Sequence, residues 1–400
     1  MMKILQLCHK PPLPAIDGGC IAIHHITQGL LQSGAEVKVL AIATPKHSVA
    51  IDQLPVKYLN DTRFESIFVD TTPKKWPALK SLLQLQSYHI SRFYAKEAIA
   101  RLTQILQEEQ FDIIHLESLF VASYIPVIRK YSKAKIVYRA HNVEHQIWER
   151  MVNHEQRWIQ RALFKFLSVQ LRKYETKLFH RIDGYVAISE PDYQFFSQLA
   201  PQIKGTVIPF GVDLEHYEPD THYIPSDNPK LFHIGSMNWI PNTEGINWFF
   251  SEVWPLLHKH FPDITFTLAG RNMPKHFFEL QLPNVQVVGE VSDARKFILS
   301  KDIMLVPLLS GSGVRIKIVE GMALAKTVIT TSIGANGLEV EDGKNILIAD
   351  TPKEFVTAIG KCIKTPDLCT IIGENAAEYI ALHHNNKLII NQLLQFYREI

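Results

Sequence analysis

The 400-residue sequence predicts an α/β protein of two tandem Rossmann-like, doubly wound domains facing each other across a cleft. Three observations lead there. Short apolar runs alternate with helical patterns along both halves of the chain. The length suits two domains of ordinary size. A polar stretch with three prolines, Tyr217 to Pro229, separates the two alternating series and reads as a linker.

Lys3–Cys8 reads as the first strand, and its apolar part is too short for a signal peptide. Asp17-Gly18-Gly19 follows, then a helix from about Cys20 to Ser33 closed by Gly34, then a strand at Glu36–Ala41. That is a βαβ unit, which builds parallel sheets. Further strands are expected at Ile113–Leu116, Ile136–Arg139, Gly184–Ile188 and Thr206–Ile208, with long helices at about Ala78–Glu108 and Glu144–Phe179. The second series runs Leu231–Ile234, Ile264–Ala269, Val285–Val288, Ile303–Val306, Val328–Thr330 and Ile346–Ile348, before a helical tail. The expected domains are 1–215 and 216–385, with a helix over 386–400 returning to the first.

Composition is that of a soluble globular protein, 46% hydrophobic and 20% charged. No apolar run reaches membrane-span length. Cys8, Cys20, Cys362 and Cys369 lack metal-ligand spacing and fit free thiols in a reducing cytoplasm. The net charge of +2 hides a split. Residues 1–211 carry 26 Lys and Arg against 18 Asp and Glu, and the remainder 16 against 22. A basic first half suits an anionic lipid or acceptor. Nucleic acid is not expected, since no recognised module is present.

The most informative stretch is Pro307 to Ala323. A buried strand, a loop with Gly311 and Gly313, and a helix start follow one another. Such a helix start offers unpaired N–H groups and a positive dipole end to an anion. Arg315 and Lys317 add full charges there, and something must compensate two cations at that end of the dipole. Glu320, among apolar neighbours, can accept hydrogen bonds from a ribose diol. Phosphate plus ribose means a nucleotide. Tight packing of the glycine-rich turn is the competing reading.

Several ordered motifs resemble the retaining GT-B glycosyltransferases of family 4 (group 1). They are Asp17-Gly18-Gly19, Arg139-Ala140-His141-Asn142, Ala187-Ile188-Ser189-Glu190, Ile208 to Asp213, Leu231 to Asn242, Asn284 to Val291, and the segment ending Glu320-Gly321-Met322-Ala323. The resemblance implies a cytoplasmic transferase and allows it a peripheral place at the inner membrane face. It would move a sugar from a UDP- or GDP-sugar to a glycan or lipid-linked acceptor, in cell-surface polysaccharide or glycoconjugate synthesis. It implies no cofactor beyond that donor substrate and, with no Asp-x-Asp motif, no metal. Gly18 and Gly19 would let the first loop approach the diphosphate, and Gly235, Glu290, Val291, Ser312, Gly313 and Val314 would line the donor. His141 would meet the donor sugar near the reacting carbon, with Arg315, Lys317 and Glu320 completing the catalytic set. Asn142 and Glu144 would hold acceptor hydroxyls. One departure is Ser312, which stands where the family usually carries a first glutamate, with seven residues between it and the second at Glu320. Another is that Met237 to Asn242 offers no Lys or Arg, which leaves the diphosphate to Arg315 and Lys317.

The helix from about Arg150 carries Arg157, Arg161, Lys165, Arg172 and Lys173 with Trp158, Phe164 and Phe166, a pattern for an anionic membrane surface or for a solvated face. A sugar-nucleotide epimerase of the same fold and a non-catalytic nucleotide-binding subunit of a transferase complex are the alternative readings.

Overall fold

The computed structural model describes residues 1–72, 87–154, 157–217, 228–311 and 313–400. The chain forms two compact units, Met1–Pro209 with Lys387–Ile400, and Phe210–Asn386. The changeovers fall at 209/210 and 386/387, not at 215/216 and 385/386. The reason is local pairing: Val212 N–H donates to His384 O at 2.8 Å, and Asn386 N–H donates to Val212 O at 3.0 Å.

The first unit holds seven strands, β1 (Lys3–Cys8), β2 (Glu36–Ala43), β3 (Glu65–Phe68), β4 (Ile113–Glu117), β5 (Lys135–Ala140), β6 (Gly184–Ala187) and β7 (Lys204–Val207). Their order is β3-β2-β1-β4-β5-β6-β7, and every pair is parallel. Alternation along the strands feeds two apolar layers. Leu5, Leu7, Leu40 and Ile42 join one layer. Ile4, Cys8, Val37 and Val39 join the other, with Ile23 and Ile26 of the helix Gly18–Gln32. The last helix, Asn386–Glu399, lays Ile390, Leu393 and Phe396 into that same second layer.

The second unit holds β8 (Lys230–Ile234), β9 (Thr265–Ala269), β10 (Val285–Gly289), β11 (Ile303–Val306), β12 (Thr327–Thr330) and β13 (Leu347–Ile348), in the order β10-β9-β8-β11-β12-β13. All pairs are again parallel. Both are Rossmann-like sheets. Strand order reverses beside β1 and beside β8, so the crevices past the C-terminal ends of β1/β4 and β8/β11 are where such sheets take ligands.

Three local expectations change. β3 is a half-exposed edge strand that the apolar pattern does not mark. The helix expected over 144–179 is two, Glu144–His154 and Trp158–Leu178, with Arg157 extended between them. No Gly or Pro marks that break, so the period runs through it unbroken in the sequence. Of the stretch expected to be helical over 78–108, the described part forms two helices, Tyr88–Ser91 and Lys96–Glu108, and 78–86 lies outside the described residues. No helix among the described residues is long and apolar enough to cross a membrane.

Candidate functional site

In the second unit β11 ends at Val306, and the helix Ile316–Ala323 begins ten residues later. The loop between is pinned by short bonds. Thr331 Oγ1 donates to Leu308 O at 2.5 Å and Ser310 Oγ to Glu244 Oε2 at 2.6 Å. Gly311 and Gly313 take positive φ. Arg315 caps the helix, is 4% exposed, and donates to Gly313 O.

Among the described residues, the hydrogen-bond partners of Lys317 are neutral. Its Nζ donates to Asn242 Oδ1 at 2.6 Å and lies 3.4 Å from His233 Nε2. His233 Nδ1 faces Leu305 O at 2.7 Å, and burial holds this histidine well below its usual pKa, so Nε2 is an acceptor. The Trp239 ring sits 5.6 Å from the Arg315 guanidinium and 6.0 Å from Lys317 Nζ. Burial, then the Arg315 charge, lowers the Lys317 ammonium to about 7. A Cβ at Gly235 would come 2.5 Å from Lys317 Nζ, so the ammonium would have to shift. The loop Met237–Asn242 thus receives two cations from a neighbouring helix.

Glu320 Oε1 accepts from the Tyr217 hydroxyl at 2.5 Å, and burial raises its pKa. Val314 is half-buried. Glu290 is exposed and pairs with Arg271 Nε at 3.0 Å, and Val291 beside it is half-buried. Ser312 lies outside the described residues.

In the first unit the crevice past β1 and β4 is lined by a buried carboxylate that the motif reading missed, Glu117. Its Oε2 accepts from His141 Nε2 at 2.8 Å and Arg139 at 3.1 Å, and its Oε1 from Gln6 Nε2 at 2.8 Å. Burial opposes its ionisation, but Arg139 and His115 outweigh that and hold Glu117 well below the usual carboxylate range. His9 stands 5.6 Å edge-on to His141 and bonds Glu117 O through Nδ1 at 2.7 Å. A glutamate closing an otherwise apolar strand at the switch point was the available signal.

Gly18 and Gly19 open their helix behind Asp17, whose Oδ1 accepts from Cys20 N–H at 2.9 Å. Lys10 Nζ holds both Asp17 oxygens, at 2.8 and 3.0 Å, and lies over Gly19. His47 Nε2 lies 2.8 Å from Asp17 Oδ2. With Cys20 these groups come within 4.8 Å of one another, but the Lys10 ammonium already occupies the carboxylate.

Asn142 is half-buried beside His141 and bonds the Glu144 carboxyl. Burial and the neighbouring Glu175 raise Glu144 to about 8, so it is mostly protonated at neutral pH. Glu175 is itself consumed structurally. It accepts from Glu144 N–H at 3.1 Å and lies 2.6 Å from His145 Nδ1, which makes His145 a packed histidine.

Residues 16–216 match the model of Glycosyltransferase Family 4, and residues 228–365 that of Glycosyl transferases group 1. An uncharacterised protein in the cps region of Klebsiella pneumoniae is 23% identical, over 99% of this chain and 100% of that one. Among solved structures, sucrose-phosphate synthase from Thermosynechococcus elongatus superposes with a TM-score of 0.71 at 16% identity, covering 100% of this chain and 99% of that one. HepE from Anabaena, solved with UDP, gives 0.67 at 17% identity over the whole of both chains.

Proposed function

The chain belongs to glycosyltransferase family 4, with the two Rossmann-like domains of the GT-B fold, and we propose that it transfers a sugar from a nucleoside diphosphate sugar to a glycan or lipid-linked hydroxyl. The observation that carries the reading is the position of Lys317 beside Arg315 at a helix start, its contacts an amide, an imidazole and an indole. A buried lysine whose hydrogen-bond partners are neutral can turn its charge to an incoming anion, taking up a proton where it has lost one. When the bond from the anomeric carbon to the β-phosphate oxygen breaks, negative charge builds on that oxygen. Arg315, Lys317 and the helix-start amides meet it without reorganising, and this needs no metal. Glu320 takes the ribose diol while Tyr217 steadies one of its oxygens. Gly235, Gly313 and Val314 line the diphosphate, and Glu290 and Val291 border the base. In the first unit Gly18 and Gly19 bring the loop to the diphosphate and donor sugar, His141 meets a sugar hydroxyl, and Asn142 and Glu144 serve the acceptor. The HepE structure solved with UDP supports a UDP-sugar as the first donor to try. Retention follows the family, and the cps-region relative fits a role in polysaccharide synthesis.

The helix Trp158–Leu178 supports a membrane-proximal acceptor. Trp158 and Ile159 are 78% and 64% exposed, and Leu163, Arg161, Lys165, Arg172 and Lys173 are exposed with them. Apolar side chains among cations suit an anionic lipid surface.

Thermal-shift measurement against UDP- and GDP-sugars tests the donor class. A selective rise in melting temperature with one of them is expected, and no rise with any would refute it. With that donor, Arg315→Ala should cut turnover by about 10²–10³-fold, the usual effect of removing one preorganised donor from a developing oxyanion. Full turnover in a folded variant would remove Arg315 from the mechanism.

A further inference from the structure

We infer that Glu117 is a positioning residue that fixes His141 with its proton on Nε2, so that His141 presents Nδ1 as an acceptor for a sugar hydroxyl and not as a donor to phosphate. The inference rests on the reading above that His141 meets substrate.

The argument follows the hydrogens. An ionised carboxylate only accepts, so Gln6 turns Nε2 to Glu117 Oε1 at 2.8 Å, which leaves Gln6 Oε1 2.7 Å from the Thr27 hydroxyl, whose one hydrogen Ile23 O also competes for. Arg139 donates to Oε2, and Arg139 has no acceptor capacity. Each carboxylate oxygen therefore already receives an N–H, and Glu117 is fully buried. His141 Nε2, 2.8 Å from Oε2, can bond this carboxylate only as an N–H donor. A neutral imidazole has one N–H, so Nδ1 keeps its lone pair. The charges around His141 favour the neutral ring: Arg139 and Lys10 oppose a further cation, burial does the same, and Glu117 alone pulls the other way.

The far side of the carboxylate is buried and adds no further hydrogen bond to it. Tyr397, from the last helix, hydrogen-bonds His115 Nδ1, and burial keeps its phenol protonated. The phenol can donate to that nitrogen or accept from it, and His115 Nε2 lies 3.3 Å from Glu117 Oε1 without hydrogen-bonding it. Gln6 and Arg139 thus each point a hydrogen at Glu117, and His141 completes the set. A merely structural ion pair would need Arg139 alone; the ordering of Gln6, Arg139 and His141 around one carboxylate is what sets a tautomer.

The test uses the full chain labelled with ¹⁵N-histidine and long-range ¹H–¹⁵N correlation, with His141 assigned by loss of its signals in His141→Gln. The expected result is the Nε2–H tautomer from pH 6 to 8. An Nδ1–H pattern or an imidazolium pattern across that range would overturn the inference. In Glu117→Gln the amide can donate, so an Nδ1–H population should appear; an unchanged His141 pattern in the folded variant would also overturn it. If Glu117→Gln does not fold, the wild-type tautomer decides alone. The underlying reading fails separately. Full turnover of the stabilising UDP- or GDP-sugar by His141→Ala would remove His141 from the reaction and leave the tautomer result standing.

Discussion

Lys317 joins packing to ligand chemistry in one side chain. Burial and Arg315 lower its pKa to about 7, so near neutrality the free protein holds it partly uncharged. A bound diphosphate favours the ammonium and raises that pKa. Binding must then take up a proton wherever the free protein has lost it. At pH 8 a group of pKa 7 is about one-tenth charged, so nearly one proton should enter per UDP bound. Titration calorimetry of UDP in Tris and in HEPES at pH 8 should give enthalpies that differ by the buffers' ionisation enthalpies, and Lys317→Met should abolish the difference. Equal enthalpies for the wild type would refute the phosphate contact. UDP affinity should fall as pH rises above about 7. Glu144 shifts the opposite way for a group of opposite charge. Its folded pKa of about 8 exceeds the unfolded carboxylate value, so the native state binds more protons between roughly 4.5 and 8. Stability from this residue is full at the acid end of that window and is lost as pH rises through it. Glu144→Gln, which cannot ionise, should flatten the wild type's decline in urea midpoint between pH 5 and 8; an equally steep decline in the variant would assign it to other groups.

The last helix is an element whose importance the sequence shows and whose contacts it hides. Its apolar period marks a packed helix, but only the fold reveals that Leu393, fully buried, lies in the layer of the first unit with Ile4, Val37 and Val186. Phe396 presses on Gly184, where a Cβ would sit 2.9 Å from the ring. Leu393→Ala should cost about 2–5 kcal/mol in urea unfolding of the first unit, the usual range for a leucine removed from a core. A loss below about 1 kcal/mol would mean the helix is only loosely attached. The strands were legible for a related reason. A parallel strand buried on both faces must be a continuous apolar run, as Ile303–Val306 is, and such runs need no tertiary knowledge to find. β3 escaped because an edge strand buries little. The break before Trp158 escaped because Glu144–His154 and Trp158–Leu178 pack on each other with no Gly or Pro between them. Arg315, Lys317 and Glu320 were legible because they lie within six residues on one turn and helix. Glu117, Gln6, Arg139, His115 and Tyr397 come from four elements, and apart from His115 and Glu117 on one strand nothing local in the sequence joins them.

Across the whole chain, the charge split and the exposed face of Trp158–Leu178 make one argument. Residues 1–211 carry the excess of Lys and Arg, and this helix puts five of them around exposed Trp158, Ile159 and Leu163. Indole and aliphatic side chains left in water gain by insertion into an interface, at roughly 25 cal/mol per Å² of apolar area covered. Each nearby cation adds about 1 kcal/mol against an anionic leaflet and loses it within a Debye length or on screening by salt. The two contributions separate experimentally. The protein should sediment with vesicles of phosphatidylglycerol and phosphatidylcholine at low ionic strength and be released by raised salt. Vesicles of phosphatidylcholine alone should retain little. Trp158→Ala with Ile159→Ala should weaken binding at every salt concentration, because apolar burial is not screened. Arg161→Gln with Lys165→Gln should weaken it at low salt and leave the high-salt remainder unchanged. If the wild type fails to sediment at low salt, the exposed face is a solvated one and a lipid-linked acceptor loses its support. Sedimentation indifferent to the double aromatic–aliphatic variant would instead reduce the contact to charge alone, too weak to hold the enzyme at a membrane in physiological salt.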